Sequence, residues 1–168
     1  MKHHLFQRPA AAGLAVLVGF SLCAAPIALA QLKKAPSPEG TWDFKTAELN
    51  DKCTISGEMT IGETGSGDTR RFTCRFKAVQ ACTGGSIRKI STEQSCTLTQ
   101  AGPKVTIISK VERIVATEPP ELMKGMDRRY FPDNFYVSIN TRGDEMEGMF
   151  ESQGEAPVKF RRKGELIS

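Results

Sequence analysis

A chain of 168 residues with 23 basic and 19 acidic side chains has the size of one domain and a nearly balanced charge, without a strong nucleic-acid footprint. Its two histidines are His3 and His4. The rest of the chain therefore lacks the commonest general base and metal ligand, and no Ser-His-Asp or Cys-His arrangement can be built from it.

The first predicted element is a leader. Lys2, His3, His4 and Arg8 make a basic start, residues 10–25 an apolar run broken only by Gly13, Gly19 and Ser21, and Ala28-Leu29-Ala30 a small-x-small cleavage site after Pro26. That order predicts a secretory signal peptide over residues 1–30, cleaved after Ala30, and hence a periplasmic or secreted protein. A membrane anchor is the competing reading, but the run is short of the roughly 20 residues of a span, so no transmembrane segment is expected after cleavage. A lipoprotein needs a small residue before its cysteine; Cys23 follows Leu22 inside the run and belongs to the signal. Losing Lys2 and Arg8 leaves 21 basic against 19 acidic residues over 31–168, a net charge of +2.

Residues 31–39, with Lys33, Lys34, Pro36 and Pro38, read as a flexible tail. Beyond it the pattern turns to period two. Trp42 and Phe44 alternate with polar neighbours. Cys53, Ile55, Gly57, Met59 and Ile61 then share one face, and after a glycine-rich hairpin loop at 63–68 Phe72, Cys74, Phe76 and Ala78 share another. Gly84-Gly85 marks a turn, Cys96 and Leu98 a short strand, and Val105, Ile107, Ser109 and Val111 the next, with Ile108, Ile114 and Val115 adding apolar surface on its second face. Residues 117–132 break the rhythm as a short helical or irregular insertion opened by Pro119-Pro120. Phe135, Val137 and Ile139, then Met146, Gly148 and Phe150, then Val158 and Phe160 complete the set, and residues 165–168 are a second tail. About eight short antiparallel strands with glycine-rich turns predict an all-β domain over residues 40–164, arranged as an up-and-down barrel.

Four cysteines follow the leader: Cys53, Cys74, Cys82 and Cys96. An even count in an exported chain predicts two disulfides with three available connectivities; zinc ligation is the alternative, without a C-x-x-C to support it. Cys53 and Cys74 flank one hairpin and Cys82 and Cys96 bracket the Gly84-Gly85 turn, which favours pairing 53 with 74 and 82 with 96 over the crossed arrangements.

Gly40-Thr41-Trp42 at the first strand and Arg161 or Arg162 after Phe160 at the last resemble the G-x-W opening and terminal arginine of the lipocalin and calycin barrels. The resemblance implies that Gly40, Trp42 and one of Arg161 and Arg162 close one end of the barrel, the guanidinium lying on the indole. The T-D-Y element of that superfamily is missing, with Pro132-Asp133-Asn134-Phe135 as a loose substitute. The chain is also similar to small periplasmic inhibitors of secreted metalloproteases, which share the G-x-W-like opening, an early disulfide and an exposed N-terminal segment.

Other motifs have plain structural readings beside their functional ones. Arg142-Gly143-Asp144 spells an integrin-binding tripeptide but has the chemistry of a turn. Arg70-Arg71, Arg128-Arg129 and Arg161-Arg162-Lys163 suit anionic surfaces or solvated strand edges. Asp144, Glu145, Glu147, Glu151 and Glu155 offer carboxylate pairs, but on an outward face. Leu122, Met123, Met126, Tyr130 and Phe131 form either a lid that contacts a ligand or partner, or a plug in the barrel end. These readings favour a non-catalytic binding module that holds a small apolar ligand or an envelope protein. The alternative is a pocketless interaction module, such as a protease inhibitor or envelope-assembly accessory. No cofactor is implied.

Overall fold

The structure is a computed structural model that describes residues 35–50, 52–64, 71–126 and 129–164. The expected signal peptide and its cleavage site, Cys23, most of the 63–68 loop and the 165–168 tail lie outside the described residues.

Eight antiparallel strands form a closed barrel: β1 (Gly40–Thr46), β2 (Cys53–Glu63), β3 (Phe72–Cys82), β4 (Lys89–Ala101), β5 (Lys104–Glu118), β6 (Asn134–Ile139), β7 (Glu145–Glu151) and β8 (Glu155–Arg162). Each strand pairs with the next, and β8 returns to β1 with Phe44 opposite Phe160. The order is the meander that short turns between alternating segments require. A 3-10 turn at Pro120–Met123 lies between β5 and β6.

Every strand sends its apolar row inward. Trp42, Phe72, Phe135, Phe150, Phe160, Met59 and Met146 are among the side chains with essentially no exposure. Full burial of such a side chain stabilises by about 1.5–3 kcal/mol. The centre is aromatic. Phe135 meets Phe44, Phe76, Phe150 and Phe160 at ring-centroid separations of 5.2, 5.8, 5.6 and 5.1 Å. Those spacings are the edge-on and tilted contacts that ring quadrupoles favour. Gly57, opposite Phe44 across β1–β2, makes room for them: a Cβ there would lie 2.8 Å from the Phe44 ring and 2.0 Å from the Lys77 carbonyl.

The disulfides join Cys53 to Cys82 and Cys74 to Cys96, which corrects the pairing favoured from sequence. The β2–β3 hairpin is long, so Cys74 stands opposite Ile61 near its turn while Cys53, at its base, faces Cys82. In the next pairing Cys74 faces Cys96 across β3–β4. Two disulfides fit an extracellular or periplasmic setting. Among the described residues no helix is long and apolar enough to cross a membrane.

Two elements run further than their apolar patterns. β4 begins at Lys89 rather than near Cys96, and β5 continues to Glu118, into the segment expected to be irregular. The start of β4, Lys-Ile-Ser-Thr-Glu-Gln, carries the polar Thr92 and Gln94 at inward positions and so hides its alternation. β5 shifts register against β4 between Ser91 and Thr92 and between Glu93 and Gln94. These irregularities break the strand's parity, leaving Val115 exposed and Ile114 partly buried.

Candidate functional site: the two ends of the barrel

At one end β1 begins and β8 ends, so Trp42 and Arg162 are register partners. The Arg162 guanidinium carbon lies 4.3 Å from the Trp42 ring centroid. Its nitrogens donate to the carbonyls of Ser37 (2.7 Å), Glu39 and Gly143 (2.6 Å). The indole Nε1 donates to the Pro38 carbonyl at 2.8 Å, and the Gln100 amide to the Pro36 carbonyl at 2.8 Å. Residues 35–39, expected to be free tail, are therefore fastened across this end. Proline carbonyls with no strand to pair with find side-chain donors there, and Pro38 is buried. Gly40, at φ +128°, turns the chain from this crossing into β1, and a Cβ on it would lie 2.6 Å from an Arg162 nitrogen. Arg161 instead points outward and pairs with Glu145.

At the other end β6 pairs with β5 only over Lys104–Ile107, so β5 beyond Ile107 is a projection paired on one side alone, to β4. The chain between β5 and β6 crosses this projection as a strap. Its Met126 and Tyr130 are buried against Ile90, with Ile87, Val111, Ile114 and Leu122 packed around them. Of the five side chains expected as a contact surface, Leu122, Met126 and Tyr130 thus belong to a second small core, while Met123 and Phe131 are exposed.

Between the two cores lies a polar layer that the apolar pattern did not reveal. Asp133 has no exposed surface. Its Oδ2 accepts from Gln94 Nε2 at 2.6 Å and from the Tyr130 hydroxyl at 3.0 Å, and its backbone N–H donates to Gln94 Oε1 at 3.1 Å. Gln94 Nε2 also reaches Thr92 Oγ1 at 3.1 Å, and the Ser109 hydroxyl donates to the Asp133 carbonyl. Burial pushes the Asp133 carboxyl up to about 6, against the donors Tyr130, Gln94 and Ser152, which pull it down; burial also raises the Tyr130 phenol. One signal was available: counting back by twos from Leu98 and Cys96 reaches Gln94 and Thr92, and from Phe135 reaches Asp133.

The remaining motifs fall on the surface. Arg142-Gly143-Asp144 is a turn in which Asn140 Oδ1 accepts from the Gly143 N–H at 2.8 Å, and Arg142 pairs with Asp144. Glu147 pairs with Lys159 on the outer face, and the Asn140 side chain holds Asp144 below the usual carboxylate range. Glu151 and Glu155 stand opposite each other at the β7–β8 turn, both exposed. Arg71 and Arg129 are exposed, while Arg70 and Arg128 lie outside the described residues. Among the described residues no cluster of histidine, cysteine or carboxylate side chains is placed to hold a metal.

No protein-family model, curated protein or solved structure matches the chain.

Proposed function

We propose that this chain is an exported, non-catalytic interaction module on a lipocalin-like barrel, with a structural interior and an outer surface that meets an envelope protein. One observation carries the reading: the phenylalanine cluster around Phe135 occupies the barrel centre, where a ligand of this architecture would sit. An eight-stranded barrel is just filled by its own side chains or holds one small ligand, and packed rings favour the first. The lipocalin likeness is supported by Gly40, Trp42 and Arg162, and export by the leader pattern together with the disulfides. The acid and phenol of Asp133 and Tyr130 are sealed from substrate, which supports a non-catalytic role. Apolar side chains do reach the outside on neighbouring strands: Ile108 on β5, Tyr136 on β6 and Met149 on β7, the last two directly opposite each other.

Titration with the apolar fluorophore N-phenyl-1-naphthylamine tests the reading. The native protein should show no saturable one-to-one binding, whereas Phe135→Ala, by emptying the centre, should create it. Stoichiometric binding by the native protein, displaced by fatty acids, would replace the filled core with a ligand cavity.

A further inference from the structure

Asp133 is the one buried ionisable carboxyl among the described residues, and it lies between the strap and β4, bonded to Tyr130 of the one and Gln94 of the other. The described groups that face it are neutral. β4 presents Gln94 and Thr92, β5 presents Ser109, β6 presents Asn134, the β7–β8 turn presents Ser152, and the strap presents Tyr130, the one titratable group among them. Charged side chains on those elements are engaged elsewhere or lie at the surface: Glu93 with Arg113, Glu112 with Ser95 and Lys110, Glu151 beside Tyr136, and Glu155 and Arg129 in solvent. Among the described residues an ionised Asp133 therefore has the donors Tyr130, Gln94 and Ser152 and no cation. A protonated one can give its hydrogen to the Tyr130 oxygen, while the phenol proton turns to Thr92, which the Tyr130 side chain also reaches.

We propose that Asp133 is a proton-operated latch: protonated, it fastens the strap at Tyr130 onto β4, and ionised, it loosens the strap and uncovers the apolar floor of Ile90, Val111 and Ile114. The cause is the cost of a buried charge with no counter-ion among the described residues, which the chain escapes by opening the strap to water. The sign follows from the raised carboxyl. The folded form holds its proton more tightly than the open form, so the latch is firm below the ordinary carboxylate range and weakens as pH rises through about 6. The aromatic core and the arginine end share no group with this network, so the opening is local.

Amide hydrogen exchange on the disulfide-bonded protein, corrected for the intrinsic effect of pH, tests the latch. Between pH 5 and pH 7.5, strap amides at 119–126 and 129–132 should lose protection by about tenfold or more relative to β1 and β8, which should not change. Asp133→Asn, neutral and of the same shape, should keep the strap protected at both pH values. Equal protection of the native strap at both pH values, or the same loss in the Asn variant, would overturn the proposal. Should the variant fold poorly, carbon-13 NMR of the native Asp133 carboxyl decides. A midpoint near 6 that coincides with strap loosening supports the latch, and a midpoint in the ordinary carboxylate range overturns it. Apolar-probe binding at a single pH reads the barrel centre instead, so failure of the filled-core reading would leave this test intact.

Discussion

At one end of the barrel a cation, Arg162, lies partly exposed on the face of Trp42 and gives its protons to the carbonyls of Ser37, Glu39 and Gly143. At the other a carboxyl, Asp133, is wholly enclosed, with the neutral side chains of Gln94 and Tyr130 in hydrogen-bond reach. Both groups tie an irregular segment onto the strands: residues 35–39 in the first case, the strap in the second. Their physics differs. A guanidinium stays charged across the accessible pH range and can share its charge between water, carbonyls and a ring face. A sealed carboxylate has no such outlet and answers by changing protonation. The arginine end is thus a permanent closure, and the strap end is a conditional one.

The largest expected effect falls at the permanent end. Trp42→Ala removes a fully buried ring, its hydrogen bond to Pro38 and the platform for Arg162. Such a loss costs about 3–5 kcal/mol, a large share of a domain's usual 5–15 kcal/mol. Urea unfolding followed by circular dichroism should find the midpoint sharply lowered, and the parent's tryptophan emission should be blue-shifted until it unfolds. An emission near that of indole in water, with an unchanged midpoint in the variant, would remove the closure from this end.

The next effect separates the ends by pH. For Asp133, raised from its ordinary 3.8 to about 6, the linked stability is about 3 kcal/mol, complete below pH 4 and lost as pH rises through 6. The difference in unfolding free energy between the native protein and Asp133→Asn should therefore vary by roughly that amount between pH 4 and pH 7.5, less whatever the loosened strap recovers by hydration. An Arg162 variant compared in the same way should show a difference from native that does not move with pH over this window. If both differences move in parallel, the two ends are not distinguished by how they hold charge.

The two ends also differed in how legible they were. The arginine end rests on a large aromatic side chain at a strand start and an arginine at a strand end, and Gly40, Trp42 and the Arg161-Arg162 pair stand out in one dimension, with register choosing Arg162. The strands were legible for the same reason: apolar residues at period two have few other readings. The strap end was hidden because Thr92 and Gln94 look like surface residues in a polar run, and only their common parity with Cys96 and Leu98 places them inside. Asp133 likewise reads as loop until Phe135 fixes its face. Disulfide connectivity depended on register, which spacing does not set: one long hairpin moves Cys74 from the neighbourhood of Cys53 to that of Ile61 and Cys96. The tail at 35–39 reads as free because little in it can pack, although its proline carbonyls can still accept hydrogen bonds.

A smaller effect tests whether the permanent closure depends on the guanidinium fork or only on charge. Arg162→Lys keeps the cation over Trp42 but cannot reach three carbonyls from one planar group. Losing one or two of those hydrogen bonds should cost about 1–2 kcal/mol in urea unfolding, and residues 35–39 should become more open to proteolysis than in the native protein. A Lys variant as stable and as resistant as native would mean that charge over the ring suffices.

The smallest effects lie side by side on the strap, where Tyr130 and Phe131 are adjacent in sequence and opposite in environment. Tyr130 is buried and its hydroxyl bonds Asp133, whereas the Phe131 side chain is 60% exposed and its carbonyl alone is engaged, by the Ser152 hydroxyl. Tyr130→Phe keeps the ring and removes one hydrogen bond at the latch, for about 0.5–1.5 kcal/mol. The sign of its effect on Asp133 is fixed, because a carboxylate that loses a donor is harder to ionise and its midpoint should rise further. Phe131→Ser should change stability by less than about 0.5 kcal/mol, since the ring packs little and the carbonyl remains. Its value lies in the contrast. If the exposed ring belongs to the surface that meets a partner, the serine variant keeps the unfolding midpoint and the pH profile but loses binding, whereas Tyr130→Phe alters the pH profile first. A Phe131→Ser variant that lost stability as Tyr130→Phe does would place Phe131 within the strap's core and move the contact surface to Ile108, Tyr136 and Met149.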